Sequence, residues 1–192
     1  MDVADLLKAM QFTLRAPRQG ARMVMDWQLG TRDGWLALAL FAIISTLLAK
    51  FLMTLVPDGA EPQMAALLNN PFEFAALQFA GLGIVALALL GVGRLAGGRG
   101  SLAETLSVIG WLQAILLLIQ FAEILSLMIL PLLTFFIGIA GLVMSLWLFT
   151  NFTAELHGFR SLWRTFAGII ATFIVLVVAL SLILIFVFGI GV

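Results

Sequence analysis

From Gly93 the chain reads Gly-Arg-Leu-Ala-Gly-Gly-Arg-Gly-Ser, and Gly93 and Gly98 stand at the spacing of the two glycines of a phosphate-binding loop. Such a loop needs Lys and then Ser or Thr after its second glycine, because the ammonium reaches the terminal phosphates and the hydroxyl holds Mg²⁺. Arg99 and Gly100 occupy those positions here. A phosphate loop also follows a buried strand, whereas the residues before this one, GLGIVALALLGV, make the end of an apolar helix. The glycines therefore predict a tight turn between two helices. Ser101 is the expected N-cap of the second helix, and Glu104 completes a capping box.

The other groups with chemical potential are few. His157 is the single histidine, in the stretch TAELHGFRSLW, and reads as a loop residue beside Glu155 and Arg160, solvated or charge-paired. One His with no Cys makes no standard zinc site, and neither H-E-x-x-H nor G-x-S-x-G occurs. The reading is of a non-enzyme with no cofactor and no metal. Two ionisable groups fall inside apolar runs, Lys50 and Glu123, near the same membrane face, and their matched depth predicts an ion pair between two helices. Gln113, Gln120 and Glu123 share one side of a third apolar segment. A polar stripe of this kind lines a solute path or supplies hydrogen bonds between helices. The second is favoured, because the surrounding midplane residues are Leu, Ile, Ala and Phe.

The elements that position these residues follow from composition. Of 192 residues, 63% are hydrophobic and 10% charged, with a mean hydropathy of +1.18. Soluble domains carry about a quarter charged residues, so this is an integral membrane protein. The zero net charge offers no field for nucleic acid. Spans of about 20 apolar residues are expected near 34–55, 72–92, 102–128, 129–152 and 162–190. The third and fourth run together, and Pro131 calls for a tight hairpin at Met128–Pro131. The fold class is all-α: a polytopic transmembrane bundle of five helices, preceded by an amphipathic interfacial helix. Residues 1–33 form the amphipathic segment and 34–192 the membrane domain. The first apolar run lies too far from the N-terminus for a signal peptide, so the N-terminus is expected to be retained.

Orientation follows from Lys and Arg. Lys8, Arg15, Arg18, Arg22 and Arg32 precede the first span, Arg94 and Arg99 lie between the second and third, and Arg160 and Arg164 lie between the fourth and fifth. The opposite side holds Lys50, with Asp58, Glu61 and Glu73 nearby. The N-terminus is then cytoplasmic and the C-terminus is on the other face. Arg94, Arg99, Arg160 and Arg164 are expected to set this topology and meet lipid phosphates.

Val3, Leu6, Leu7, Met10 and Leu14 recur at helical spacing, away from Asp2, Asp5, Lys8 and Arg15, and Pro17 ends the helix. This face packs on lipid or on its own bundle, or docks a partner. Small residues at Gly138, Gly141 and Ser145 permit close helix contact. The candidate partner surface is Leu6, Leu7, Met10, Trp27, Gly138, Gly141 and Ser145.

Three stretches carry a resemblance to a known family. GRLAGGRGSLAETLSVIGWLQ, LWLFTNFTAELHGFRSLWRTFAGII and RAPRQGARMVMDW resemble the inner loops and span starts of the Yip (Ypt-interacting protein) family, bacterial branch. The resemblance implies a five-span membrane scaffold and not a catalyst. Eukaryotic members act in vesicle trafficking, bind Rab-type GTPases through a cytoplasmic N-terminus, and associate with one another. This chain lacks their long polar N-terminal extension and its Asp-Leu-Tyr-Gly-Pro-type motif, and has no Tyr, which argues against a GTPase partner. The resulting expectation is a scaffold or accessory protein of a bacterial inner membrane, binding membrane lipid and another membrane protein or itself. The alternative is a small-solute or ion permease using the stripe on the third span. A weaker alternative is lipid handling or membrane shaping by the N-terminal helix.

Overall fold

The computed structural model describes residues 2–55 and 62–188. These form helices and no strand among the described residues: α1 Val3–Arg15, α2 Pro17–Asp26, α3 Thr31–Leu55, α4 Pro62–Asn69, α5 Pro71–Leu95, α6 Leu102–Ile129, α7 Pro131–His157 and α8 Leu162–Phe188. The five long helices α3, α5, α6, α7 and α8 each contain a stretch long and apolar enough to cross a membrane. In a bilayer every backbone polar group must be satisfied within the segment, which leaves helices as the solution for such sequences. Asp58, Glu61 and the last residues of the predicted fifth span, 189 and 190, lie outside the described residues.

Helix α6 is the hub, packed on α3, α5 and α7, while α2 lies over α6 and α7. Its first half, Thr105 to Leu112, is buried throughout. Close approach is set by small residues. A Cβ on Gly34 would stand 2.6 Å from Leu106 Cβ, and one on Gly141 would stand 2.8 Å from Ile119 Cγ2. Helix α8 packs mainly on α7 and is the least buried of the five.

Polar side chains bridge the spans. Ser45 Oγ donates to Gln120 Oε1 at 3.2 Å, and Gln120 Nε2 returns a bond to the Ser45 carbonyl at 3.4 Å, joining α3 to α6. Thr46 Oγ1 lies 3.5 Å from Gln78 Oε1, joining α3 to α5. The Ser126 and Thr134 hydroxyls meet at 2.9 Å across the α6–α7 hairpin. The hairpin turns on Leu130, whose extended backbone caps both helices, with Pro131 starting α7.

Several expectations need correction. Lys50 and Glu123 form no ion pair: Lys50 is exposed and the half-buried Glu123 faces Gly138 of α7. Helix α7 runs to His157, well past the predicted end at 152. Its polar residues Thr150, Asn151 and Thr153 donate to carbonyls four residues back, at 2.7–2.8 Å, so they are satisfied within the helix. The short helix α4 lies between the first two long helices.

Candidate functional site

The structure concentrates its buried polar groups at the arginine-bearing end of the bundle. Two helices finish there in the same way. At α5, Gly98 N–H bonds to the Gly93 carbonyl (2.8 Å) and Gly97 N–H to the Arg94 carbonyl (2.9 Å). At α7, Phe159 N–H bonds to Ala154 (2.8 Å) and Gly158 N–H to Glu155 (3.2 Å). Both are Schellman endings, with Gly97 at φ +86° and Gly158 at φ +73°, a conformation that favours glycine. They bring the two helix ends together.

His157 sits between them. It is the last residue of α7 and is buried, with its ring 5.4 Å from Phe159 and stacked on it. Its Nε2 lies 3.1 Å from the Leu89 carbonyl of α5. A carbonyl only accepts, so Nε2 carries the proton. Nδ1 is buried with no hydrogen-bond partner. The room for the ring comes from glycines. A Cβ on Gly93 or Gly98 would overlap the imidazole, and one on Gly100 would stand 2.9 Å from Leu156 Cγ. The expectation of a solvated or charge-paired loop histidine is therefore wrong. The glycine stretch 93–100 is a cradle for His157, and Arg94 Nε closes it with a bond to the Gly100 carbonyl at 3.1 Å. The capping box follows directly: Ser101 N–H bonds to Glu104 Oε2 at 2.8 Å and Glu104 N–H to Ser101 Oγ at 3.2 Å.

Glu155, two residues before His157 and so on the other side of α7, faces α2 instead. Arg22 donates to Glu155 Oε1 through Nε (2.9 Å) and through its second nitrogen, and Arg18 Nε lies 3.6 Å from Oε2. Arg18 also donates to the Phe159 carbonyl. Two guanidiniums thus meet the negative end of the α7 dipole together with a carboxylate. Pro17 at the first position of α2 fixes the turn that aims them.

Helix α1 is fastened by a second contact. Thr13 is fully buried; its hydroxyl donates to the Ala9 carbonyl at 2.8 Å and accepts from Trp111 Nε1 of α6 at 3.0 Å. A Cβ on Gly20 would stand 2.5 Å from Thr13 Oγ1, so α1 and α2 cross at their closest there. Met10, Ala21 and Val24 join Trp111, Leu112, Leu148 and Phe152 in one apolar core, and Trp27 meets Trp111 edge-on at 5.2 Å.

A model described as the Yip1 domain matches residues 13–183. The chain belongs to the Yip1 family. In this Yip1-family protein the matched stretch begins at Thr13, the residue that ties α1 to the bundle, and takes in α2, the first four long helices and most of α8. No curated protein and no solved structure matches the chain.

Of the predicted partner surface, Leu7 and Trp27 are exposed, whereas Leu6 is half-buried and Met10 is buried in the core. Met10 is thus internal and not a docking residue. Gly138 and Gly141 face Glu123 and Ile119 of α6, and Ser145 bonds to its own helix at Leu142. Gln113 is half-buried and Gln120 is engaged with Ser45. Arg99, Arg160 and Arg164 are exposed. Thr13, Arg18, Arg22 and Glu155 were missed as site residues. Their signal was a proline-led basic segment and one acid near the end of a span, and neither says what it will meet.

Proposed function

We propose that this Yip1-family membrane protein is a non-enzymatic scaffold or accessory protein of a bacterial inner membrane, with its N-terminus in the cytoplasm, that binds another membrane protein or a second copy of itself. The observation that carries the reading is the fixed presentation of α1. Its inner face is held by Met10, Thr13 and the Arg18/Arg22–Glu155 cluster behind it, while Leu7 and Leu14, two turns apart on one side of the helix, are left exposed. An apolar face held rigid costs little further ordering when a partner covers it. The placement of nine Lys and Arg residues on one side supports the orientation. The use of Gln120, Gln78 and Ser126 in bonds between helices supports a packed interior over a solute path.

The test separates scaffold from permease. Glu123→Gln and Lys50→Met are made separately, with membrane abundance and solute flux into proteoliposomes measured for each. The scaffold reading expects no flux attributable to the wild type. Flux present in the wild type and abolished by Glu123→Gln at normal abundance would sink it.

A further inference from the structure

Helix α8 packs on α7 and stands off α5, and the wedge between the three helices is a groove of about 530 Å³. This lies inside the range of about 300–1,000 Å³ usual for small-ligand sites. Its walls are apolar: Val85, Leu89 and Val92 on α5, Phe149 on α7, Ile169 and Phe173 on α8. The threonines along it are already satisfied. Thr153, Thr165 and Thr172 each donate to a carbonyl four residues back, at 2.7, 3.0 and 2.8 Å. The room comes from Gly168, where an added Cβ would meet nothing within 4 Å, and from the small side chain of Ala96.

One end of the groove is different. Arg160 and Arg164 line its mouth, both exposed, and neither guanidinium has an acid or hydrogen-bond partner among the described residues. The nearest acid in sequence, Glu155, is engaged by Arg18 and Arg22. From Arg164 the α8 lining runs to Leu176, roughly 18 Å at 1.5 Å per residue. The hydrocarbon core is about 30 Å thick, so the groove reaches about as far as one leaflet. A cationic mouth at the membrane edge with an apolar cleft running inward has the polarity of a phospholipid in that leaflet. We propose that the groove binds an anionic phospholipid, with one acyl chain between α5, α7 and α8 and the phosphate against Arg160 and Arg164. The proposal goes beyond the scaffold reading and requires only that the five spans sit in a bilayer.

The full chain, purified in mild detergent and offered equimolar phosphatidylglycerol and phosphatidylcholine, is examined by native mass spectrometry. The wild type is expected to retain phosphatidylglycerol selectively. Arg160→Gln with Arg164→Gln lowers that selectivity by roughly tenfold or more, since each basic residue near a lipid surface contributes about 1 kcal/mol. Arg160→Lys with Arg164→Lys keeps it. Gly168→Leu removes bound lipid of both kinds. A Cβ at Gly168 has nothing within 4 Å, so the side chain fills the groove without displacing the fold. Val85→Phe on the opposite wall is a second plug should the first variant misfold. Equal retention of the two lipids by the wild type, or undiminished selectivity in the double glutamine variant, overturns the proposal. So does thermal protection by inorganic phosphate equal to that by phosphatidylglycerol, which marks a free-anion site. A lipid-free dimer that Gly168→Leu converts to monomer also overturns it, because a second copy then fills the groove.

Discussion

The imidazole of His157 occupies volume that three glycines leave open, and this reverses the usual effect of adding a methyl group to a helix. Alanine is worth about 1 kcal/mol more than glycine in a helix interior. At Gly91, where an added Cβ has nothing within 4 Å, that gain is free to appear. At Gly93 the same carbon overlaps the His157 ring, and overpacking of this kind costs about 1–3 kcal/mol. Gly93→Ala is therefore expected to lower the thermal unfolding midpoint in detergent, while Gly91→Ala leaves it unchanged or raises it. Equal midpoints for the two variants would contradict the cradle. The turn and the Ser101–Glu104 cap were legible in the sequence because every group involved is local. The partner of the glycines was not. His157 comes from a helix end far along the chain, and no local pattern announces which carbonyl or which glycine it will meet.

At the scale of elements, hydropathy placed the five long helices because lipid tolerates little else, and the proline that starts α7 placed the hairpin. The end of α7 was misjudged because Thr153, Glu155 and His157 look like loop residues, yet Thr153 is satisfied on its own helix and His157 is the helix's last residue. The seat of α1 and α2 was legible only as an amphipathic pattern, which fits lipid, bundle or partner alike. Thr13–Trp111 and Arg18/Arg22–Glu155 decide it in favour of the bundle. The consequence is measurable by hydrogen–deuterium exchange. Glu155→Ala should raise exchange across Pro17–Asp26 by at least about tenfold, since hydrogen bonds to charged groups contribute about 1.5–3 kcal/mol. The buried first half of α6 should keep its protection. Unchanged exchange in α2 would mean that the apolar contacts alone hold it.

For the whole molecule, the charge asymmetry and the helix count predict one topology. Absence of cysteine allows single reporters to be placed without background. Gln19→Cys and Ala96→Cys, both at exposed positions on the arginine-bearing end, are expected to react with an impermeant maleimide only after cells are opened. Asn69→Cys, exposed at the end of α4, should react in intact cells. The opposite pattern would invert the orientation and place α1 outside the cytoplasm. Composition, span number and family were readable from the chain alone. The polar interior was not, because whether Gln120 lines a path or bonds to Ser45 depends on how α3 and α6 meet.

The most direct measurement of the scaffold account is the composition of the particle extracted from native membranes in mild detergent, with and without the outer face of α1. The account predicts that the wild-type chain carries a fixed stoichiometry of another membrane protein or of itself. It also predicts that Leu7→Ser with Leu14→Ser releases that partner while leaving the unfolding midpoint of the chain unchanged. A wild-type chain that is extracted alone and monomeric, and whose proteoliposomes conduct a solute in a Glu123-dependent way, would contradict it.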